Sequence, residues 1–211
     1  MTKENDVKKY IQFYSTNLGK KILEQETRFV NKKLIGCKKV LSIGCGPALL
    51  EARLHRLHPK MNIIGLDSSK DMIEHASKDI PVIYGDTQQL DFEDKHFDAV
   101  LFITSLEFIE NLQQVIKETH RVLKLKGLFL VLMLNPNSNY FQEKYNNNNS
   151  YIRKNIKHTN IDEIQKVISQ YFNIKNKEYF LGITEQEIVD TDDKSIASLY
   201  VLEGKKLCQR T

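Results

Sequence analysis

The sequence contains no tryptophan, only four prolines and only three cysteines. The cysteines are Cys37, Cys45 and Cys208; their odd number and the lack of a CxxC pair exclude a disulfide scaffold and favour a reducing cytosol. No apolar stretch approaches the roughly 20 residues that a membrane-spanning helix needs. The first 20 residues carry six charged side chains, so we expect no signal peptide.

A strong excess of one charge is also lacking, since 31 Lys and Arg residues face 27 Asp and Glu residues. No arginine-rich stripe with interleaved aromatic residues is present, which disfavours a nucleic-acid partner. His55 and His58 share a predicted helix face, but His58 precedes Pro59 at the helix end. We therefore expect surface histidines and no metal site. The length suits one domain, residues 1–211, and nothing in the sequence indicates an oligomeric state.

Short apolar runs alternate with amphipathic stretches over most of the chain. Strands are predicted at 39–43, 62–67, 81–84, 97–103, 127–134, 174–181 and 195–202. Helices are predicted within 5–34 and at 48–54, 69–78, 112–125 and 161–171. Strands that alternate with helices predict an α/β fold, a doubly wound and mostly parallel seven-stranded sheet. The last two strands, separated by an acidic loop, are expected to form an antiparallel C-terminal hairpin.

A glycine-rich turn, Gly44-Cys45-Gly46-Pro47, links the first predicted strand to the first helix of the alternating region. Glycines at such a turn let a ligand approach the backbone closely. The third glycine of a dinucleotide-binding GxGxxG is missing, because Leu49 stands there, and no phosphate-binding GxxxxGK[ST] is present.

Two carboxylates follow the next two strands, so the same sheet edge collects polar groups. Asp67 ends the second strand, where a carboxylate can accept hydrogen bonds from both hydroxyls of a ribose. Asp86 follows the third strand. In open α/β sheets, ligands bind at the carboxyl ends of the strands. The alternative interpretations are that Asp67 only caps the helix that begins near Ser69, and that Asp86 is an ordinary turn residue.

The chain resembles a known family in four ordered segments within residues 38–134: VLSIGCGPA, IIGLD, YGDTQQLDFEDKHFDAVLFITSLEFIEN and HRVLKLKGLFLVLML. It is similar to class I S-adenosylmethionine-dependent methyltransferases, in particular to the small-molecule branch that includes quinone-biosynthesis enzymes. The resemblance implies a Rossmann-like fold and an enzyme that transfers a methyl group from S-adenosylmethionine, with S-adenosylhomocysteine as product, to an O, N or C nucleophile of a small-molecule acceptor.

The resemblance also implies a set of cofactor-binding residues. Gly44 and Gly46 would lie against the methionine part, Asp67 would bind the ribose, and Asp86 would accept a hydrogen bond from the adenine amino group. The full set is Ser42, Gly44, Cys45, Gly46, Asp67, Ser68, Asp86, Thr87, Ile103 and Thr104, the last two beside the sulfonium and the substrate entrance. Two residues depart from the family pattern: Ser42 replaces a usual Asp or Glu, and Ala48 replaces a common third glycine.

Four segments are expected within the single domain. Residues 1–37 form a helical cap, 38–134 the cofactor-binding core, 135–160 a flexible substrate-side loop, and 161–211 the C-terminal helix and hairpin. In this fold, segments before the first strand often cover the cofactor cleft, and aromatic residues of the cap would then face it. The alternative is that these rings pack on the sheet.

No catalytic residue is identified by the sequence, although a proton acceptor is needed for some O and N nucleophiles. The candidates are Glu107, Tyr14 and His120, and beside them Tyr10 and Tyr140. Two other functions remain open. One is methylation of protein or RNA, which predicts a positive surface beside the cleft. The other is a non-catalytic module that binds the cofactor without turnover.

Overall fold

The computed structural model describes residues 3–184 and 187–207, with the side chains of residues 3–6 left aside. One eight-stranded sheet runs through the molecule in the order β3-β2-β1-β4-β5-β8-β6-β7. The strands are β1 Lys39–Ile43, β2 Asn62–Asp67, β3 Val82–Tyr84, β4 Phe97–Ile103, β5 Leu123–Leu134, β6 Phe172–Ile183, β7 Ile188–Val189 and β8 Ala197–Lys206. The first five strands are parallel, and β8, β6 and β7 continue the sheet by antiparallel pairing.

Eight α-helices lie in the described part of the chain. They are α1 Lys3–Ser15, α2 Asn17–Lys33, α3 Leu49–Leu57, α4 Lys70–Glu74, α5 Leu112–Val122, α6 Asn139–Asn146, α7 Tyr151–Asn155 and α8 Ile161–Ile168. None of these described helices is long and apolar enough to cross a membrane.

Alternation along the buried strands divides the core into two layers. On β4, Ala99 and Leu101 belong to the cluster that packs against α2, α3 and α6, whereas Val100 and Phe102 belong to the cluster that packs against α5 and α8. A parallel strand covered on both faces is apolar almost throughout, as β4 is. The predicted fold class, a Rossmann-like doubly wound sheet with an antiparallel C-terminal end and N-terminal helices, is confirmed.

The strand order places a crevice at the carboxyl end of β1. The neighbours of β1 in the sheet are β2 on one side and β4 on the other. The connection from β1 therefore leads to one side of β1, and the connection from β3 leads to β4 on the other side. Such a switch point is where open α/β sheets bind ligands.

The structure adds one strand to the predicted seven. The two-residue strand β7 pairs with the end of β6, inside the segment expected to be an acidic loop. Several boundaries also differ, among them the ends of α5 and α4. Helix α5 ends at Val122, because Leu123 already pairs with Phe97 across a register shift. Helix α4 is short and ends at Glu74 instead of near residue 78.

The sequence predicts a continuous loop over 135–160. The structure instead has two helices, α6 and α7, in this segment. Each begins at a serine N-cap: the Ser138 hydroxyl accepts a hydrogen bond from the Phe141 amide, and the Ser150 hydroxyl from the Arg153 amide. Phe141 is fully buried in the core, which holds α6 on the sheet. The prediction gave weight to the polar asparagine run and missed these caps. The predicted C-terminal segment extends over Cys208, which lies outside the described residues.

Candidate active site

The glycine-rich turn is shaped by backbone conformations that glycine adopts easily. Gly44 and Gly46 have φ angles of 70° and 54°. The amides of Gly44 and Cys45 both donate to the Leu66 carbonyl, at 2.7 and 3.2 Å, and tie the turn to the end of β2. At Gly44 the space is also closed, because an added Cβ would lie 2.5 Å from the Ser105 Cβ. The turn is therefore held rigidly at the carboxyl edge of the sheet.

Asp67 joins the glycine turn to the start of α4. Its Oδ2 accepts from the Gly46 amide at 2.7 Å, and its Oδ1 accepts from the Ser69 amide at 2.8 Å. Burial raises the pKa of the Asp67 carboxyl, and these backbone donors oppose the rise. Both oxygens keep further acceptor capacity. The alternative interpretation, that Asp67 caps the helix beginning near Ser69, is therefore partly correct. Ser69 is the N-cap of α4, and Asp67 supports that turn.

Asp86 and Thr87 lie at the same edge but farther out. Asp86 is exposed, and its Oδ1 accepts from the Gln88 amide at 2.8 Å in a tight turn. Thr87 is buried, and Ser68 is exposed. The structure thus brings the predicted set to one edge of the sheet, with Asp86 on its outer side.

A small cavity of about 30 Å³ lies between the N-terminal helices and this edge. We call it the cap cavity. It is lined by Tyr10, Tyr14, Leu23 and Glu26 of the cap, by Gly44, Cys45, Leu49, Leu50 and Glu51, and by Ile103 and Thr104. Thr104 has a φ of 46°, a strained conformation for a β-branched residue and one often found at functional sites. Tyr10 and Tyr14 lie in this lining, and Tyr14 also packs against the hydrophobic core on this face of the sheet.

Two buried carboxylates in the cap cavity were missed by the sequence analysis. Glu26 lies on α2 and is 4% exposed, and Glu51 lies in the first turn of α3 and is 2% exposed. Glu51 Oε1 accepts a hydrogen bond from Ser42 Oγ at 2.5 Å. For Glu26, the sequence did contain a signal of burial. It is an acidic residue on an apolar helix face, since it follows Ile22 and Leu23 by one turn.

Glu26 differs from Glu51 because no described residue hydrogen-bonds to its carboxylate. Burial first, and the neighbouring Glu51 second, raise the pKa of Glu26 to about 8. Of the described residues that line the cap cavity, none is a lysine, arginine or histidine. An ionised carboxylate without a partner is expensive to bury, so the cavity is suited to a ligand that carries positive charge.

The structure separates the three catalytic candidates. Tyr14 lies in the cap cavity, and burial raises the pKa of its hydroxyl. Glu107 is buried nearby, with Oε1 accepting from the Leu134 amide at 2.9 Å, and burial raises its pKa to about 7, but it does not line the cavity. His120 lies near the end of α5, at the opposite edge of the sheet, where Nε2 contacts the Leu207 carbonyl. The end of α5 leads directly into the start of β5, whereas the site lies at the carboxyl ends of the parallel strands. His120 is therefore too far from the site to act there.

Residues 41–131 match the family model described as a methyltransferase domain. Over 111 residues the chain is 37% identical to demethylmenaquinone methyltransferase of Thermotoga maritima, an alignment that covers 51% of this chain and 48% of that protein. It is 30% identical over 110 residues to malonyl-[acyl-carrier protein] O-methyltransferase of Legionella pneumophila, covering 49% and 39% of the two chains. The chain thus spans about half or less of the length of these curated relatives.

Solved structures show the same fold. A Thermotoga maritima protein described as a SAM-dependent methyltransferase and possible histamine N-methyltransferase superposes with a TM-score of 0.77, at 21% identity, over 96% of each chain. A switch-point crevice with a glycine turn and a following carboxylate is typical of nucleotide-binding α/β domains. Together with the family match over residues 41–131, this makes the chain similar to the class I S-adenosylmethionine-dependent methyltransferases, with the fold of that class.

Proposed function

We propose that this protein transfers the methyl group of S-adenosylmethionine to a nucleophile of a small-molecule acceptor. The observation that carries the proposal is the cap cavity, which joins the glycine turn to aromatic and acidic side chains of the N-terminal helices. The curated relatives act on small or carrier-bound molecules by their names, demethylmenaquinone and malonyl-[acyl-carrier protein].

The residues at the sheet edge fit this cofactor. A Cβ placed on Gly46 would have only the Met72 sulfur within 4 Å, at 3.8 Å, so the backbone there is open to close approach. Asp67 has acceptor capacity left for ribose hydroxyls. The proposed binding residues are the predicted set, Ser42, Gly44, Cys45, Gly46, Asp67, Ser68, Asp86, Thr87, Ile103 and Thr104.

When bound, the cofactor supplies a methyl group already activated by its sulfonium. The protein then has to position the acceptor and exclude water, and orientation alone can contribute roughly 7–11 kcal/mol to catalysis. Tyr10 and Tyr14 close the cap side of the cavity, with ring centroids 4.9 Å apart. Glu26 is the proposed proton acceptor for a nucleophile that must lose a proton, because it is buried, without a protein partner and has a pKa of about 8.

A second, more open cleft supports a small and partly aromatic or apolar acceptor. It lies between the cap and the C-terminal part and is lined by Phe13, Leu18, Asn139, Tyr140, Glu143, Lys144, Ile183, Thr184 and Ile196. Burial first, and the nearby Glu26 carboxylate second, raise the pKa of Tyr140, which places Tyr140 and Glu26 in the same neighbourhood. The cleft is therefore the proposed route by which an acceptor reaches Glu26. The cytosol remains the proposed compartment, since Cys37 and Cys45 are both unpaired.

The first test is calorimetric titration of the protein with S-adenosylmethionine and S-adenosylhomocysteine, followed by transfer of a labelled methyl group. Saturable binding of both, and label on small amines, phenols or quinols, is expected. Label on RNA or protein instead, with salt-sensitive binding, would replace the acceptor class. Binding without transfer to any of these would indicate a non-catalytic module, and no binding by folded protein would refute the proposal.

Because the buried Glu26 carboxyl has no hydrogen-bond partner, we expect the free energy of unfolding to fall as the pH rises into the alkaline range. Its pKa is higher in the folded protein than the ordinary 4.5, so the folded state binds the extra proton between about pH 4.5 and 8. Stability from this group is present at lower pH and falls as pH rises through about 8. Between pH 6 and pH 9, the wild type should lose about 2–3 kcal/mol of unfolding free energy that Glu26→Gln does not lose.

Urea unfolding of both proteins at several pH values measures this difference. Glu24→Gln is the matched control, since Glu24 lies on the same helix with its side chain half exposed and paired with Arg28. It should follow the wild type. Parallel pH profiles for wild type and Glu26→Gln would contradict a buried, unpaired carboxylate.

A further inference from the structure

The end of β1 lacks the carboxylate that the family pattern places there, but a carboxylate is present in the same space. Ser42 is 1% exposed, and its hydroxyl donates to Glu51 Oε1 at 2.5 Å. Glu51 comes from the first turn of α3, directly after the glycine turn. The serine and the glutamate thus form a pair in which the strand supplies the hydroxyl and the helix supplies the charge.

The position of Glu51 points to a ligand. It is 2% exposed and yet lines the cap cavity beside Gly44 and Cys45. Only Oε1 has a side-chain donor among the described residues, so Oε2 keeps its acceptor capacity. Burial raises the pKa of Glu51, the change expected for a carboxylate without a cation nearby.

A cation that enters the cavity beside Gly44 would remove this burial penalty. The methionine part of S-adenosylmethionine carries an α-ammonium group, which donates up to three hydrogen bonds. We infer that Glu51 binds this α-ammonium group and that Ser42 holds the Glu51 carboxylate in place for it. The inference rests on the proposed function and assigns Glu51 to the cofactor and Ser42 to a positioning role.

Glu26 is the other carboxylate of the cavity, but it is less suited to this role. It approaches from the cap helix α2, and no hydrogen bond from a described residue fixes its orientation. Glu51 is fixed by Ser42 and follows the glycine turn on the rigid sheet edge. A pre-oriented acceptor binds a cation with a smaller loss of side-chain entropy.

Two ligands distinguish this role from a structural one. S-adenosylhomocysteine carries the α-ammonium group, whereas 5′-methylthioadenosine has the same adenosine and a thioether but no amino acid part. By calorimetry, Glu51→Gln should weaken binding of S-adenosylhomocysteine by about 10- to 100-fold, as expected for a lost charged hydrogen bond. Its affinity for 5′-methylthioadenosine should stay within about twofold of wild type.

A parallel loss for both ligands would show that Glu51 only supports the fold, and an unchanged affinity for S-adenosylhomocysteine would also overturn the inference. A larger selective loss in Glu26→Gln than in Glu51→Gln would move the role to Glu26. If wild type binds neither ligand, the proposed function fails; if wild type binds both and Glu51→Gln matches it, only this inference fails. Glu24→Gln, at the exposed site, should match wild type for both ligands.

An exchange of the pair tests the inference when a single variant folds poorly. Ser42→Asp/Glu51→Ser moves the carboxylate to β1 and the hydroxyl to α3. We expect the exchanged protein to bind S-adenosylhomocysteine at least tenfold more tightly than Ser42→Ala/Glu51→Ser, which has no carboxylate in the pair. Equal affinities of these two folded proteins for S-adenosylhomocysteine would refute a role for the carboxylate in binding.

Discussion

Gly44→Ala should destabilise the protein by about 2–5 kcal/mol, a large part of the stability of an ordinary domain. Two effects add. A φ of 70° is unfavourable for alanine by roughly 1–2 kcal/mol. The new Cβ would also lie 2.5 Å from the Ser105 Cβ, and relief of such a clash in a packed site costs about 1–3 kcal/mol more. The measurement is the free energy of unfolding in urea.

Gly36→Ala is the matched control, because Gly36 has a φ of 84° but no atom within 4 Å of an added Cβ. It should cost only about 1–2 kcal/mol, the conformational part alone. Adding Ser105→Gly to Gly44→Ala should recover part of the loss, although it removes the hydrogen bond from Ser105 Oγ to the Ile43 carbonyl. Equal losses for Gly44→Ala and Gly36→Ala would disprove the close approach of Ser105.

Asp67→Ala should weaken binding of S-adenosylhomocysteine by 100-fold or more. Two hydrogen bonds from a ribose to an ionised carboxylate are worth roughly 1.5–3 kcal/mol each, and the Gly46 amide that shapes the turn loses its acceptor as well. The loss should be as large for 5′-methylthioadenosine, which has the same ribose. This distinguishes Asp67 from Glu51, whose replacement is expected to affect only the ligand with the amino acid part.

Stability has to be followed in the same variant, because Asp67 also accepts from the Ser69 amide at the start of α4. Calorimetry is therefore performed below the unfolding transition of each protein. Asp67→Asn keeps one acceptor oxygen and should show an intermediate loss of affinity. Unchanged affinity in folded Asp67→Ala would leave Asp67 with the helix-start role alone and would remove it from the binding site.

Local patterns in the sequence were sufficient to predict most of the fold. The apolar run from Phe97 to Ile103 has the length and composition of a strand buried on both faces, and its bounds agree with the structure. The glycine turn and Asp67 are also local signals, since their spacing reflects one strand–helix–strand unit. One failure came where a long-range contact decides the outcome. Leu123 has left α5 and become part of β5 because it pairs with Phe97.

The site was less predictable than the fold. Ser42 was interpreted as the loss of a family carboxylate, because the sequence does not show that Glu51 occupies the space beside it. Glu26 had the same difficulty: an acid on an apolar helix face has meaning only once the covering elements are known. His120 had suitable chemistry for catalysis, but α5 places it at the opposite edge of the sheet.

The sequence by itself determined the order of strands and helices from β1 to β5, the glycine turn and the carboxylate that follows β2, because these depend on the conformational preferences of neighbouring residues. Only the tertiary structure decided which side chains share the cap cavity. Packing of α2 over the sheet edge buries Glu26, and the path of α3 brings Glu51 to Ser42. A buried charge is defined by everything that surrounds it, and those surroundings come from parts of the chain that are distant in sequence.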